Sequence, residues 1–285
     1  MRLATQASPG VGRPFEATGT RLSFPMASRD NIQVFQEAFS AADIARALPS
    51  FDAAASGEHV RTIMAEKSWD VAGVRTGGFV SGFVEPADLG SAACGECARP
   101  LADSLVVADT LPLAPLVLRL KEQPRLFVRS LGQIGGVVSR IDMQRPAGRM
   151  WLFGVVTLIE TRFSRMIADR CGNDAWQAFV SAGRLQKTQE LLAERRRRDQ
   201  QVSLLDCLQF SDKIQIIAKN EQLRSLTRFT SRRQVEEVGK QLEMLRNNLA
   251  HSQDIISGDW DTIVVLAEQL DSVLDGPRAA AEGAS

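Results

Sequence analysis

Hydrophobic and polar positions divide the chain into two halves with different periods. From Met150 onward apolar residues recur at spacings of three and four; in "WLFGVVTLIETRFSRMIADR" they are Leu152, Val155, Val156, Ile159, Phe163, Met166 and Ile167. That is the period of a helix with one face against a core. "DAWQAFVSAGRLQKTQELLAERRRR" predicts a second helix, beginning at a cap-like Asp174, and "SLLDCLQFSDKIQIIAKN" a third. A fourth follows in "SRRQVEEVGKQLEMLRNNLAHSQ", where Val235, Val238, Leu242, Leu245 and Leu249 form one stripe. The last starts near Asp259 and turns Trp260, Ile263, Val264, Ala267, Leu270 and Leu274 inward. Helices with short connections predict a bundle over residues 150–275.

The first half carries a repeat. "VAGVRTGGFVSGFVEPADL" (Val71–Leu89) and "RLFVRSLGQIGGVVSRIDM" (Arg125–Met143) correspond without a gap: Val74 meets Val128, Arg75 meets Arg129, Gly78 meets Gly132, Gly82 meets Gly136 and Asp88 meets Asp142. Upstream, "EHVRTIMAEK" lies opposite "PLAPLVLRLK", both reading as short helices, and "ARAL" (45–48) lies near "ARPL" (98–101). Each copy thus runs from a helix to an apolar strand, a glycine turn, and a second strand ending at an aspartate. One copy cannot bury both faces of so small a sheet, so the two are expected to pack as a pseudo-symmetric pair. The repeats fall at about 40–90 and 94–146. The boundary to the bundle lies near Ala147 to Met150, where "QRPAGRM" supplies breaker residues but little length, so the two modules are expected to pack together.

Composition narrows the function classes. The 285 residues are 44% hydrophobic and 24% charged, with a formal net charge of zero, which fits a globular protein and excludes one that coats nucleic acid by bulk charge. Even "LPLAPLVLRL" (Leu111–Leu120) is broken by prolines and Arg119, so no membrane span is expected and the chain reads as soluble and cytoplasmic. Residues 1–30 lack the apolar core of a secretory signal and read as a disordered leader, with Met26 an alternative start to Met1; 276–285 read as a disordered tail. Of four cysteines only Cys94 and Cys97 are close; Cys171 and Cys207 are isolated and no histidine neighbours them, so free thiols are expected and no metal.

The repeat with its "GVVSRID" (Gly136–Asp142) resembles the cystathionine-beta-synthase (CBS) domain pair, over roughly 31–148. The resemblance implies an α+β fold of two β-α-β-β-α repeats followed by an all-α bundle. It also implies a regulatory adenine-nucleotide site (AMP, ADP or ATP) at Gly136, Val138, Ser139, Arg140 and Asp142. Asp142 would accept hydrogen bonds from the ribose hydroxyls, and Ser139 would lie beside sugar and phosphate. An ionised carboxylate, an acceptor with two oxygens, suits a vicinal diol. Arg140 would face phosphate or solvent. Two readings stay open, since Ser139 and Asp142 could equally cap the following helix. In the first copy, "GFVEPAD", Glu85 stands where Ser139 stands in the second, and a carboxylate there repels phosphate; one competent site is expected.

The bundle's "RNNLAH" resembles the HEPN (higher eukaryotes and prokaryotes nucleotide-binding) family, whose motif is an arginine, a polar residue and a histidine at this spacing near the end of a helix. The resemblance implies a metal-independent endoribonuclease working as a homodimer, with Arg246, Asn247 and His251 as its site. Cleavage through the 2′-hydroxyl needs a base, an acid and a cation: His251 moves protons near neutrality and Arg246 holds phosphate charge. One histidine does not readily serve as both acid and base, hence the dimer. The alternatives are helix-end carbonyls as the partners of Arg246 and His251, or a non-catalytic sensor whose bundle binds a protein partner. "ERRRRD" (194–199) reads either as a patch that guides RNA or as a solvated helix end with Glu194 and Arg198 paired. His59 reads as structural.

Overall fold

The structure, a computed structural model, describes residue 35, residues 37–227, residue 229 and residues 231–274, without the side chains of 269–274. The expected leader, the alternative start at Met26, the tail, and the side chains of Leu270 and Leu274 lie outside the described residues.

In chain order the first half contains α1 (Ala41–Ile44), β1 (Arg46–Ala47), β2 (Ser50–Asp52), α2 (Gly57–Glu66), β3 (Ala72–Thr76), β4 (Phe79–Val84) and a 3₁₀ turn at Pro86–Asp88. After a second turn at Cys94–Glu96 come β5 (Arg99–Pro100), β6 (Val106–Ala108), α3 (Leu113–Glu122), β7 (Arg125–Ser130), β8 (Gln133–Ser139) and a 3₁₀ turn at Arg140–Gln144. The strands form two four-stranded sheets, ordered β1-β8-β7-β6 and β2-β3-β4-β5. Within each repeat a parallel pair, β2 with β3 or β6 with β7, adjoins an antiparallel hairpin.

The two hairpins are alike down to their irregularities. Each has a register shift at the matched position, between Val74 and Arg75 in one and between Val128 and Arg129 in the other. Each turns through two residues of positive φ, Gly77 and Gly78 or Leu131 and Gly132. That is the backbone of a tight turn matching the twist of its strands. Leu131 adopts it as a fully exposed leucine where the first repeat has glycine.

Each repeat sends its opening strand to the other's sheet. β1 lies antiparallel to β8, with Ala47 opposite Gly136, and β5 lies antiparallel to β4, with Pro100 opposite Gly82. Gly82 allows the close approach of β5, while Gly136 is tight against β7. A Cβ on Gly82 would stand 2.9 Å from the Arg99 carbonyl oxygen, and one on Gly136 would stand 3.1 Å from Val128 Cβ.

One expected element is missing. The β-α-β-β-α pattern that the resemblance implies calls for a closing helix in the first repeat, but residues 89–98 hold only the turn at Cys94–Glu96. Gly90, Ser91 and Gly95 give this segment little helix propensity, and its backbone is spent elsewhere: the Cys94 and Gly95 N–H groups donate to the Ala55 and Ala53 carbonyls, both at 2.8 Å.

The second half comprises α4 (Pro146–Arg170), α5 (Ala182–Arg197), α6 (Phe210–Lys219), α7 (Glu221–Ser225), α8 (Arg232–Ala250) and α9 (Trp260–Leu274). Pro146 occupies the first turn of α4, where its missing N–H costs nothing, so the breaker residues start a helix. The prediction of a helix from Asp174 needs correction. Asn173 and Asp174 take left-handed backbone angles inside a 3₁₀ segment, Gly172–Phe179, and Asp174 Oδ1 accepts from Trp176 Nε1 at 3.1 Å. The helix begins at Ala182, with Ser181 Oγ accepting from the Arg184 N–H.

One hydrophobic core joins the halves. It runs from Ile44, Leu116, Leu126 and Val138 through Trp151 and Ile159 on α4 to Ile214, Leu245 and Ile263. The other sheet packs on α2 through Val60, Met64, Val74 and Val84, and the Phe83 and Phe127 rings meet between the sheets, 4.8 Å apart. Among the described residues no helix is long and apolar enough to cross a membrane.

Candidate functional site

Asp142 lies in the turn where β8 ends. Its Oδ2 accepts from the Ser139 N–H at 2.8 Å and from Ser139 Oγ at 2.9 Å, so the capping arrangement weighed above is present. Its Oδ1 faces Arg46 Nε at 2.9 Å, across the exchanged strand. The carboxylate is buried while the Arg46 side chain is 39% exposed. That Nε is itself buried and has no aligned hydrogen bond, so charge more than directed bonding holds the pair.

The first repeat builds the same pair. Arg99 Nη2 meets Asp88 Oδ1 at 2.5 Å, and the Glu85 N–H donates to Asp88 Oδ2 at 2.9 Å. Burial pushes the Asp88 carboxyl up, but the Glu85 N–H and Arg99 outweigh it and hold it below the usual value. Glu85 adds a second contact to Arg99 at 3.3 Å and one to Arg125 at 3.2 Å. Arg125 reaches Asp70 at 3.7 Å, and Asp70 lies 3.6 Å from Arg46. Alternating charges therefore run from Asp142 through Arg46, Asp70, Arg125, Glu85 and Arg99 to Asp88. Neither the strand exchange nor this ladder was foreseen; the only signal was the pair "ARAL" and "ARPL".

The two ends differ in balance. A cleft of about 560 Å³ beside the first repeat is lined by Thr76, Ser81, Gly82, Glu96 and Arg99. Glu85, Asp88 and Glu96 surround or neutralise Arg99, leaving no surplus positive charge for a phosphate. At the second repeat Arg46 also has two acidic partners, Asp142 and Asp70, but Ser139 stands where the first repeat has Glu85, and a Cβ on Gly135 would meet nothing within 4 Å, so β8 is open at that glycine.

The remaining candidates around Asp142 do other work. Val138 is fully buried in the core and Gly136 lies under β1. Arg140 is half-buried and its guanidinium is engaged by protein groups. Its Nε and Nη2 donate to the Leu120 and Lys121 carbonyls, both at 3.0 Å, and its guanidinium stacks 5.0 Å over the Trp260 ring. It caps the C-terminus of α3, which a cation there favours.

Arg246, Asn247 and His251 are exposed at the end of α8, and their side chains make no hydrogen bond or ion pair among the described residues. His251 is the C-cap: its N–H donates to the Asn247 carbonyl at 3.0 Å, and Ser252 follows with φ of 54°. The cation on this helix end is Arg149, from the first turn of α4. Its Nη2 donates to the Asn248 and Leu249 carbonyls at 2.9 and 3.1 Å, and its Nη1 to the Gln253 carbonyl at 2.8 Å and Gln144 Oε1 at 2.9 Å. Gln144 Nε2 donates to Asp254 Oδ1, and Asn248 Nδ2 to Asp259 Oδ2 at 2.7 Å. The turn holding Asp142 is thus tied directly to the segment holding His251.

Other sequence candidates stand apart. Glu194 pairs with Arg198 at the exposed end of α5, His59 is exposed on α2, and all four cysteines are free, Cys94 and Cys97 within the satellite core. Burial and the neighbouring Cys97 push the Cys94 thiol up. Among the described residues no three His, Cys, Asp or Glu side chains cluster as metal ligands.

Several solved structures similar to part of this chain are CBS-domain proteins. CBSX2 from Arabidopsis thaliana matches at 20% identity, covering 39% of this chain and 96% of its own, with a TM-score of 0.35. The same protein in complex with AMP matches at 21% identity, 39% and 98% coverage and a TM-score of 0.34. A CBS domain-containing protein from Bacillus anthracis matches at 11% identity, 38% and 91% coverage and a TM-score of 0.34. No family model and no curated protein matches the chain.

Proposed function

We propose that this chain is a nucleotide-responsive regulator, in which the paired repeats take an adenine nucleotide (AMP, ADP or ATP) at Asp142 and the helical half answers. The observation that carries the reading is the pairing of Asp142 with Arg46 at 2.9 Å, at the turn where β8 ends. A ribose diol needs a carboxylate acceptor and a phosphate needs a guanidinium, and the two stand side by side. The answer travels through Gln144 and Arg149, which join the Asp142 turn to the end of α8. A ligand shifts that joint only if it binds one arrangement better than another.

Titrating AMP into the wild type and into Asp142→Asn by calorimetry tests the reading. The substitution keeps the shape and an acceptor for Ser139 but removes the charge. Binding to the wild type that weakens roughly tenfold or more in the variant is expected, the worth of a charge-assisted bond; equal binding, or none to the wild type, contradicts it.

A second reading concerns what the helical half does. The free, exposed side chains of Arg246, Asn247 and His251 support RNA cleavage by two copies of this chain, each contributing one histidine. Incubating an RNA pool with wild type and His251→Ala in the presence of a chelator separates this from a bundle that only binds a protein: cleavage lost in the variant supports the enzyme, and no cleavage by folded wild type supports the sensor.

A further inference from the structure

We infer that Arg46 makes the Asp142 site selective for nucleoside 5′-phosphates over nucleosides, by exchanging its partner when ligand binds. The inference rests on the reading of Asp142 as a ribose acceptor. Asp142 Oδ2 is already filled by two bonds from Ser139, so Oδ1 is the oxygen left for a ribose hydroxyl. Arg46 covers that oxygen. A hydroxyl arriving there displaces the guanidinium, which is the mobile member of the pair, being 39% exposed against 3% for the carboxylate.

The displaced guanidinium needs a new anion. Asp70, the next acid on the ladder, lies 3.6 Å away and is shared with Arg125. A neutral nucleoside breaks the Arg46–Asp142 pair and returns nothing for it, leaving a partly buried charge less well compensated. A 5′-phosphate supplies the replacement, and with it a charge-assisted contact. Arg99 cannot exchange in this way: its Nε and Nη2 both donate to Asp88 Oδ1, at 3.2 and 2.5 Å, whereas Arg46 Nε makes no aligned bond, and Glu85, standing where the second repeat has Ser139, repels a phosphate. The exchange therefore belongs to the second repeat alone.

The test is a calorimetric titration of the full chain with AMP and with adenosine, for the wild type, Arg46→Gln and Arg46→Ala, each checked for folding by a thermal melt. The wild type is expected to bind AMP roughly tenfold or more tighter than adenosine, the scale of one charge-assisted bond. In Arg46→Gln, which keeps a neutral donor beside Asp142, adenosine tightens, AMP weakens and the ratio falls towards one. AMP binding with a ratio that Arg46→Gln and Arg46→Ala leave unchanged overturns the exchange and leaves the nucleotide reading standing. Equal affinity of the wild type for AMP and adenosine overturns the exchange without any variant. No binding of either ligand to folded wild type overturns both.

Discussion

Arg149 donates to the main-chain oxygen of Asn248 at 2.9 Å, and through this contact the turn that follows Asp142 holds the helix end that carries His251. Two of the four groups that Arg149 engages are carbonyls in the last turn of α8, those of Asn248 and Leu249, and a third, that of Gln253, lies just beyond it. Arg149→Ala is expected to cost about 1–3 kcal/mol, the range for losing hydrogen bonds from a charged donor. Amide exchange at residues 248–254 should rise more than elsewhere in the bundle. Urea unfolding and hydrogen exchange read the two effects, and a uniform rise across the chain would mean that Arg149 contributes to general stability and holds no particular end.

Gly82→Ala should destabilise the first half by about 1–3 kcal/mol, the cost of overpacking a tight site. The new methyl would meet the Arg99 carbonyl oxygen at 2.9 Å and the Ala98 Cβ at 3.2 Å, pushing β5 away and with it Arg99 from Asp88. Gly135→Ala has open space and serves as the control. Thermal melts of the two variants compare them directly.

Acid should loosen the bundle at Asp206. The Ser203 hydroxyl and N–H, at 2.7 and 2.8 Å, hold this carboxyl below the usual value against the opposing effect of burial. A depressed folded value means that the charged form stabilises the fold above about pH 4, the unfolded value, and that this contribution disappears as pH falls through the folded value. Asp206→Asn should therefore be less stable than wild type at pH 7, and the difference should shrink towards pH 2. Urea midpoints across that range measure it; a difference that grows on acidification would contradict the assignment.

His251→Ala should leave stability within about 0.5 kcal/mol of wild type, as befits an exposed side chain without partners. Any loss of RNA cleavage in this variant then reports on chemistry and not on folding. A large drop in melting temperature would instead make His251 a structural residue.

The legible parts of this fold were those written in local periodicity. The hairpins of Val71–Leu89 and Arg125–Met143 read directly, because their apolar runs and glycine turns recur at matched positions in the two copies; the bulge they share after Val74 and Val128 carries no such mark. The exchange of β1 and β5 did not, since strands of two residues have no period, and their partners lie more than fifty residues away in the case of Arg46 and Val137. For the same reason the Arg46–Asp142 and Arg99–Asp88 pairs could not be read in advance. Arg140 looked available beside the motif but is drawn off by carbonyls of α3, and Arg149 looked like a linker residue but holds the end of α8. Both roles come from tertiary packing, which no spacing along the chain encodes.

The central claim is that occupancy at Asp142 is felt at the end of α8, and hydrogen exchange of the full chain with and without AMP tests it most directly. The account predicts that saturating AMP changes exchange in two separate segments, the turn at 139–149 and the helix end at 246–254, and that Arg149→Ala abolishes the second change while leaving the first. A change confined to 139–149 in the wild type, or no change at either segment, would contradict it.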